Sequence, residues 1–518
     1  MNTAIPARAF QRFDVLRLPV IGSFLRWRYS RLVLQLPLLF VALLSVYDGF
    51  SGRQIATLNV AGVAVWLHYR GLVAVALAIF GNLFCAACPL MLTRGLAKFL
   101  SRFLPTFEWP RVLRNKYLVL GLTVAYLFAY EFFDLWQWPY LTAWWILGYF
   151  AAALLVDTFF SAGTFCKYVC PLGNFNFALS GASPTQITAT DPNVCNSCEG
   201  KYCLNGREET ATSRAPILGN RADHVMLELP MVAAEQHGQF VAKPRTLGQF
   251  PGCETDLFVP TMTTNTDCTL CLNCVRACPY DNVALSLRSP VQEAEHSRPK
   301  SDWALFVTVL AWAGLVNAFA MVPGFYKLAA WLSSLLGTRN EGILLAIIQL
   351  GGIGAGVGLT WLAARASRGS LRDWAPVLLP LTLMVWGGHY LYHFLTGQSM
   401  LWPNTIIALQ RLGLPLATPE LPPVSRLDSI FPIQVVLTYL GLGMGTWAVW
   451  RRASRAKSLL AMLPQVLLML VFVTVTLLIF VQPMQQRGAL LVKANSVPNS
   501  ASALVSSSIP NHTQFNRP

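Results

Sequence analysis

The chain has 518 residues, of which 54% are hydrophobic and only 12% are charged, and its mean hydropathy is +0.47. This composition excludes an ordinary soluble protein and is typical of a membrane protein. The net charge of +15 would suit nucleic-acid binding. We expect no nucleic acid as a partner, however, because the basic residues are concentrated in alternate loops between apolar segments.

Nine apolar segments approach the ~20 residues that are needed to cross ~30 Å of hydrocarbon. They lie at residues 31–49, 70–88, 116–135, 142–163, 303–323, 342–364, 374–396, 430–450 and 458–481. Buried helices of a large soluble protein would not produce so many segments of this length. We therefore predict a mostly α-helical fold, a polytopic bundle of about nine spans in a lipid bilayer.

The first 30 residues are a basic segment in which Asp14 is the only acidic residue. No small-residue cleavage site follows the first apolar segment, so we interpret residues 1–30 as a cytoplasmic anchor and not as a signal peptide. Further basic residues cluster at 94–116, 365–372 and 451–457. By the positive-inside rule, the N-terminus and residues 164–302 are predicted to be cytoplasmic and the C-terminus periplasmic, in a bacterial inner membrane. Nine spans give the same result by parity.

Residues 31–163 are predicted to be a four-span membrane core with two cysteine pairs. Cys85 and Cys88 form C-x2-C-P at the end of the second span, and Cys166 and Cys170 form C-x3-C-P at the end of the fourth. Both pairs should lie at the cytoplasmic membrane face. They are either small thiols packed in helix ends or a further metal, iron–sulfur or dithiol redox site. A structural disulfide is disfavoured because the cytoplasm is reducing. Asp157, within the fourth span, is a secondary candidate, since an intramembrane carboxylate is costly.

The most informative motif is C-x2-C-x2-C-x3-C-P, formed by Cys268, Cys271, Cys274, Cys278 and Pro279. Three thiolates at this spacing bind one [4Fe–4S] cluster, and the fourth reaches a neighbouring cluster. The alternative is a zinc ribbon, but zinc sites usually have two separated C-x2-C pairs. We therefore predict iron–sulfur clusters in this part of the chain.

Four more cysteines complete a two-cluster set. Cys195, Cys198 and Cys203 have the spacing C-x2-C-x4-C, and Cys253 follows after 49 residues. If the ligands cross over as in two-cluster ferredoxins, the first three pair with Cys278, and Cys253 completes the cluster of the later motif. The stretched spacing before Cys203 and the absence of a proline after Cys253 leave the fourth ligand of each cluster open.

Residues 164–302 are therefore predicted to be a cytoplasmic 2[4Fe–4S] ferredoxin-like domain, inserted before a five-span membrane domain at 303–482. Its portion 204–252 has no clear periodicity and is interpreted as a loop excursion. Residues 483–518 are predicted to be a disordered periplasmic tail, because their end is rich in Ser, Asn and Pro.

Three histidines form a further candidate site. His389 and His393 are four residues apart and share one face of the seventh span, and His68 precedes the second span. All three should lie near the periplasmic face, where they could bind a haem, a copper or iron ion, or a quinol headgroup. Ordinary interfacial histidines, hydrogen-bonded to neighbouring helices, are an equally good interpretation.

The motifs FCAACPL at 84–90, FCKYVCPLG at 165–173 and CTLCLNCVRACP at 268–279 resemble those of the membrane polyferredoxins of the NosR, NapH and CcoG type. The resemblance covers residues 70–290 and implies electron transfer between quinol or a cytoplasmic donor and a periplasmic redox enzyme. The chain departs from the family in three respects. Its first cysteine pair is spaced by two residues where three are more usual, it has no sizeable periplasmic N-terminal domain, and the family core does not explain the five spans after residue 302.

The first functional hypothesis is a membrane-bound iron–sulfur electron-transfer protein with a membrane or periplasmic redox partner. The alternative is a redox component of an iron or copper uptake system or of a metalloenzyme-maturation system. A plain transporter is a weaker alternative, because polar residues such as Asn317 and Gln349 are isolated in the sequence. Walker A, dinucleotide-binding and hydrolase motifs are absent, so the chain would be the electron-transfer component of an oxidoreductase.

Overall fold

A computed structural model describes residues 13–161, 163–209, 248–420, 430–455 and 459–484. The described part is mostly helical with little strand. Residues 1–12, most of the predicted loop excursion (210–247) and nearly all of the predicted tail (485–518) lie outside the described residues.

Within the described ranges, 8 helical stretches are long and apolar enough to cross a membrane. They are Ser30–Ser51, Val60–Ile79, Leu83–Leu100, Pro139–Phe159, Ser301–Phe319, Glu341–Ala366, Ile430–Arg455 and Leu459–Phe480. This confirms the prediction of a bundle of helices that are long and apolar enough to cross a membrane.

Three stretches account for the difference from the nine predicted spans. Tyr117–Phe132 is apolar but has only 16 residues. Leu379–Gly397 has 19 residues, but it is not among the eight, since its histidine, tyrosine and threonine side chains lower its hydropathy. Leu83–Leu100 was not predicted, because Pro89 divides it into short helical pieces and its last two turns carry basic residues.

The second span begins at Val60, not at residue 70 as predicted, and this corrects the positions of two candidate sites. The Asn59 side chain caps its first turn by accepting a hydrogen bond from the Ala61 backbone N–H at 2.9 Å, and Gly81, with φ +79, follows its end. His68 therefore lies inside this span. The first cysteine pair does not end the span but begins the next helical stretch.

The remaining longer helices are Pro19–Arg26, Pro171–Leu179, Pro323–Leu336 and Leu401–Arg411. Leu379–Gly397 lies inside the bundle, between Val60–Ile79 and Ile430–Arg455. Ser301–Phe319 is the most enclosed of the eight, with 83% of its most apolar window buried. Outer helices instead leave leucines such as Leu36 and Leu43 exposed, as expected of a surface that faces lipid.

The region 164–302, which we call the cysteine-rich region, contains two small antiparallel sheets. Thr185–Ala189 pairs with Val283–Leu287, and Arg207–Glu209 pairs with Gly248–Phe250. Its short helices are Pro192–Asn196, Tyr202–Asn205, Asn273–Ala277 and Gln292–His296. The N-terminal segment packs on this region, because Asp14 accepts a 3.0 Å hydrogen bond from the Leu285 backbone N–H. The two segments therefore lie on the same side of the bundle.

Candidate functional site

The eight cysteines between residues 195 and 278 surround two separate cavities. The first cavity is lined by Cys253, Cys268, Cys271 and Cys274 together with mostly apolar side chains. The second cavity is lined by Cys195, Cys198, Cys203 and Cys278. These are the two groups of four that the crossover pattern predicts.

The backbone between the cysteines explains why their side chains face one space. Leu270 and Leu272, which alternate with the cysteines of the later motif, have positive φ angles of 53° and 59°. Such a conformation is unfavourable for a leucine and is retained where the surrounding structure requires it. It coils the segment so that the thiols on either side of each leucine turn toward the first cavity.

Hydrogen-bond donors are directed at the sulfur atoms. Asn282 donates from its backbone N–H to Cys278 Sγ at 3.4 Å and from its side-chain amide to Cys195 Sγ at 3.2 Å. In the first cavity, Cys253 Sγ lies 3.6 Å from Thr255 Oγ1. Donors of this kind stabilise negative charge on sulfur and tune the potential of an iron–sulfur cluster.

All twelve cysteines are free thiols, and several are shielded from water. Burial raises the pKa of Cys195 to about 11 and that of Cys268 to about 12. Without a bound metal these thiols would be protonated at neutral pH, so metal binding has to displace their protons.

Among the residues that the structure describes, no group of three or more His, Cys, Asp or Glu side chains is gathered so as to hold a metal ion. A single zinc ion, with Zn–S bonds of about 2.3 Å, would draw its thiolates to within about 4 Å of one another. In each group the cysteines line a cavity.

A chain of ion pairs joins the first cavity to the membrane helices. Glu254, next to Cys253, pairs with both Arg31 and Arg94, and Arg94 Nε donates to Asp157 Oδ2 at 3.0 Å. Burial alone would raise the pKa of Glu254, but the two guanidinium groups lower it to about 2. Asp157 is therefore an ion-pair partner. The sequence did not predict this role for Arg31, Arg94 or Glu254, although an arginine at the start of an apolar segment, as at Arg31, was a signal.

The same junction requires a glycine. Gly163 has φ +91, and a Cβ atom at this position would lie 1.8 Å from the Glu254 backbone oxygen. Nearby, Lys116 Nζ donates to Asp267 Oδ1 at 2.5 Å and to Asn174 Oδ1 at 2.8 Å. The loops that carry the cysteines are thus held against the membrane helices on two sides.

The four membrane cysteines, which sequence analysis left as two pairs, come together. Cys166 and Cys170 belong to one buried cluster against which Cys85 and Cys88 pack; Asn176, six residues after Cys170, donates to Cys85 Sγ at 3.6 Å, and the sulfur of Met91, three residues after Cys88, lies 3.6 Å from Cys166 Sγ. We call these four cysteines the thiol quartet. Asn82, three residues before Cys85, donates to the Cys268 backbone oxygen at 2.8 Å, so the quartet is next to the first cavity.

The three candidate histidines differ in their surroundings. His68 is held by backbone carbonyls, with Nδ1 3.1 Å from Val63 O and Nε2 3.3 Å from Gln398 O, which fits the alternative of an ordinary hydrogen-bonded histidine. His389 and His393 are buried with ring centroids 4.9 Å apart. Within the described part of the chain, neither ring nitrogen of His389 has a hydrogen-bond partner.

Arg70 bears on the metal hypothesis for this histidine pair. Its guanidinium is buried and lies 4.3 Å from the ring centroid of Tyr130 and 5.4 Å from that of Tyr390, the residue after His389. A fixed positive charge near the pair would repel a metal cation.

Asn317 and Gln349, which are isolated in the sequence, lie together at a third cavity. Both side chains line it together with Glu131. Asn317 Nδ2 donates to Glu131 Oε1 at 2.6 Å, and Gln349 Nε2 donates to Val124 O at 3.1 Å. The polar residues lie on three different helices, so no spacing in the sequence could reveal the group.

Comparison of the chain with known protein families, curated proteins and solved structures finds no match. The resemblance to the polyferredoxins therefore depends on the cysteine motifs. The two four-cysteine cavities and their junction with a membrane-type helical bundle are the basis for assigning a function.

Proposed function

We propose that the chain is a membrane-bound iron–sulfur electron-transfer protein. It would pass electrons between a cytoplasmic donor or quinol and a redox partner in the membrane or the periplasm. The observation that carries the proposal is the grouping of eight cysteines around two cavities, four to each. The proposed orientation has the N-terminus and the cysteine-rich region in the cytoplasm of a bacterium, on the basis of the positive-inside rule.

The ligands of the first cluster would be Cys253, Cys268, Cys271 and Cys274, and those of the second are the four cysteines of the second cavity. A [4Fe–4S] cluster supplies transfer of one electron at a time. The residues fit such a group because the thiols line a space, face it from several directions and receive hydrogen bonds from nearby N–H groups.

The protein's contribution is to hold the two sites together and to tune them. The Cys253 backbone N–H donates to the Cys203 backbone oxygen at 3.1 Å, so the cavities are neighbours. Arg276 Nη2 donates to the Cys271 backbone oxygen at 2.5 Å. Positive charge here stabilises the more negative, reduced state and would raise the potential of the first site.

The test is an iron and sulfide determination on anaerobically purified protein in detergent, with EPR spectra recorded during a redox titration. Two clusters require at least about eight irons per chain. Cys271→Ser should remove about four irons and one set of signals, whereas Asn196→Ala, an exposed change beside Cys195, should remove none. Bound zinc, or no iron after reconstitution, would overturn the proposal.

A further inference from the structure

We propose that the thiol quartet, Cys85, Cys88, Cys166 and Cys170, binds a third iron–sulfur cluster at the junction of the cysteine-rich region and the helical bundle. This inference rests on the proposed function and extends it, because it gives electrons a site inside the membrane domain. Four observations carry it: the backbone geometry of the two pairs, the proximity of the sulfurs, the donors directed at them, and their neighbours.

The two pairs present their second cysteine in the same way. Cys88 has ψ 122° and Cys170 has ψ 110°, both extended, and each is followed by a proline that begins the next helix. Cys166, the first cysteine of its pair, lies in the π-helical turn Phe165–Val169. Such turns are rare and often occur at functional sites. Two loops about 80 residues apart in sequence thus direct their thiols to one place.

The later pair has a donor for each sulfur. The backbone N–H of Gly173 donates to Cys170 Sγ at 3.2 Å, and Arg94 Nη2 donates to Cys166 Sγ at 3.8 Å. The sulfur of Met91 is 3.6 Å from Cys166 Sγ. Both cysteines are buried, with 8% and 5% of their surface exposed, so water cannot replace these hydrogen bonds.

The earlier pair, Cys85 and Cys88, also lies near N–H donors. Asn176 Nδ2 donates to Cys85 Sγ at 3.6 Å, and the Met91 backbone N–H donates to the Cys88 backbone oxygen at 3.2 Å. N–H groups directed at three of the four sulfurs suit thiolates. As thiolates, several buried sulfurs beside one another would need a positively charged core between them. A cluster of iron ions supplies that charge.

The residues on either side of the quartet indicate its role in electron transfer. On one side, Asn82 Nδ2 donates to the Cys268 backbone oxygen at 2.8 Å, which ties the loop before Cys85 to the first cavity. On the other side, Tyr69 packs against Phe84, the residue before Cys85, with ring centroids 5.2 Å apart, and Arg70 follows Tyr69 in the same span. The quartet therefore lies between the first cavity and the buried aromatic residues around Arg70. One electron from the first site would pass through it to an electron acceptor in the membrane.

The test counts metal and sulfide in the full-length protein, purified anaerobically in detergent. We expect about twelve irons and twelve sulfides per chain, which is four more of each than two clusters require. Cys88→Ser and Cys166→Ser should each reduce the count to about eight and remove the same EPR or Mössbauer component. Leu96→Ala, an exposed change in the same helical stretch, should leave about twelve.

The other outcomes separate this inference from the proposed function. About eight irons in the wild-type protein, with no change in either serine variant, would overturn the third cluster and leave the two-cluster proposal intact. One zinc that is lost in Cys166→Ser would also overturn it. No iron at all would refute both. If a variant fails to fold, the wild-type count still decides.

Discussion

The cysteine-rich region and the three candidate histidines of the membrane bundle are both marked by short spacings in the sequence. In the structure, however, the two sets of residues have different surroundings. The cysteines of residues 195–278 line two cavities in the groups that their spacing indicates. Of the three histidines, His68 is bonded to backbone carbonyls, and the pair His389 and His393 lies near Arg70. Short spacing within one loop restricts which side chains face each other. Spacing along one helix, by contrast, does not determine which residues of the neighbouring helices lie opposite.

The largest expected effect contrasts these two regions directly. Cys274→Ser should remove a thiolate of the first site and lower the iron content by about four per chain. His393→Ala should leave the iron content unchanged, because Arg70 disfavours a metal ion beside it. Metal analysis and EPR of both variants check this contrast. A loss of iron or haem from His393→Ala would contradict our interpretation of the histidine pair.

The second prediction concerns the ion pairs between the two regions. Glu254→Gln leaves Arg31 and Arg94 without their shared carboxylate, and loss of one partner from a buried ion pair costs about 3–5 kcal/mol. The variant should unfold at lower temperature in detergent and be cleaved more readily by protease near residue 254. Glu199→Gln, at an exposed position, is the matched control. Equal stability of the two variants would show that the ion pairs do not hold the junction.

The third prediction tests the close approach at the same junction. Gly163→Ala should destabilise the protein by about 1–3 kcal/mol, because its backbone conformation disfavours a side chain and the new Cβ would collide with the Glu254 oxygen. Gly95→Ala is the control, since nothing lies within 4 Å of a Cβ there, and in a helix it should gain up to about 1 kcal/mol. Thermal unfolding of both variants measures the difference. A stable Gly163→Ala protein would mean that the two loops can separate.

The smallest effect should appear in the second cavity. Asn282→Ala removes the amide that donates to Cys195 Sγ. With one donor fewer, the reduced state is less stable and the midpoint potential should fall. A hydrogen bond worth about 1 kcal/mol corresponds to a few tens of millivolts for a one-electron couple. A redox titration of this variant against Asn205→Ala, an exposed asparagine at the end of the helix Tyr202–Asn205, measures the shift. An unchanged or higher potential would contradict the tuning role.

Some features of this chain depend on sequence alone. The hydrophobic effect acts over about 20 successive residues, so the apolar segments predicted a helical membrane bundle without any knowledge of packing. Spacing also indicates the three closely spaced cysteines of each group, because the short loops between them restrict where their thiols can point; which distant cysteine completes each group, Cys253 or Cys278, the sequence left open. The cofactors, the orientation in the membrane and the redox partners stay predictions.

Tertiary packing decided the rest. The start of the second span depended on the Asn59 cap and not on hydropathy alone. The meeting of the two membrane cysteine pairs, the pairing of Glu254 with Arg31 and Arg94, and the cavity around Glu131 each bring together residues from distant parts of the chain. Local propensity carries no information about such contacts, because they form only when helices far apart in sequence pack side by side.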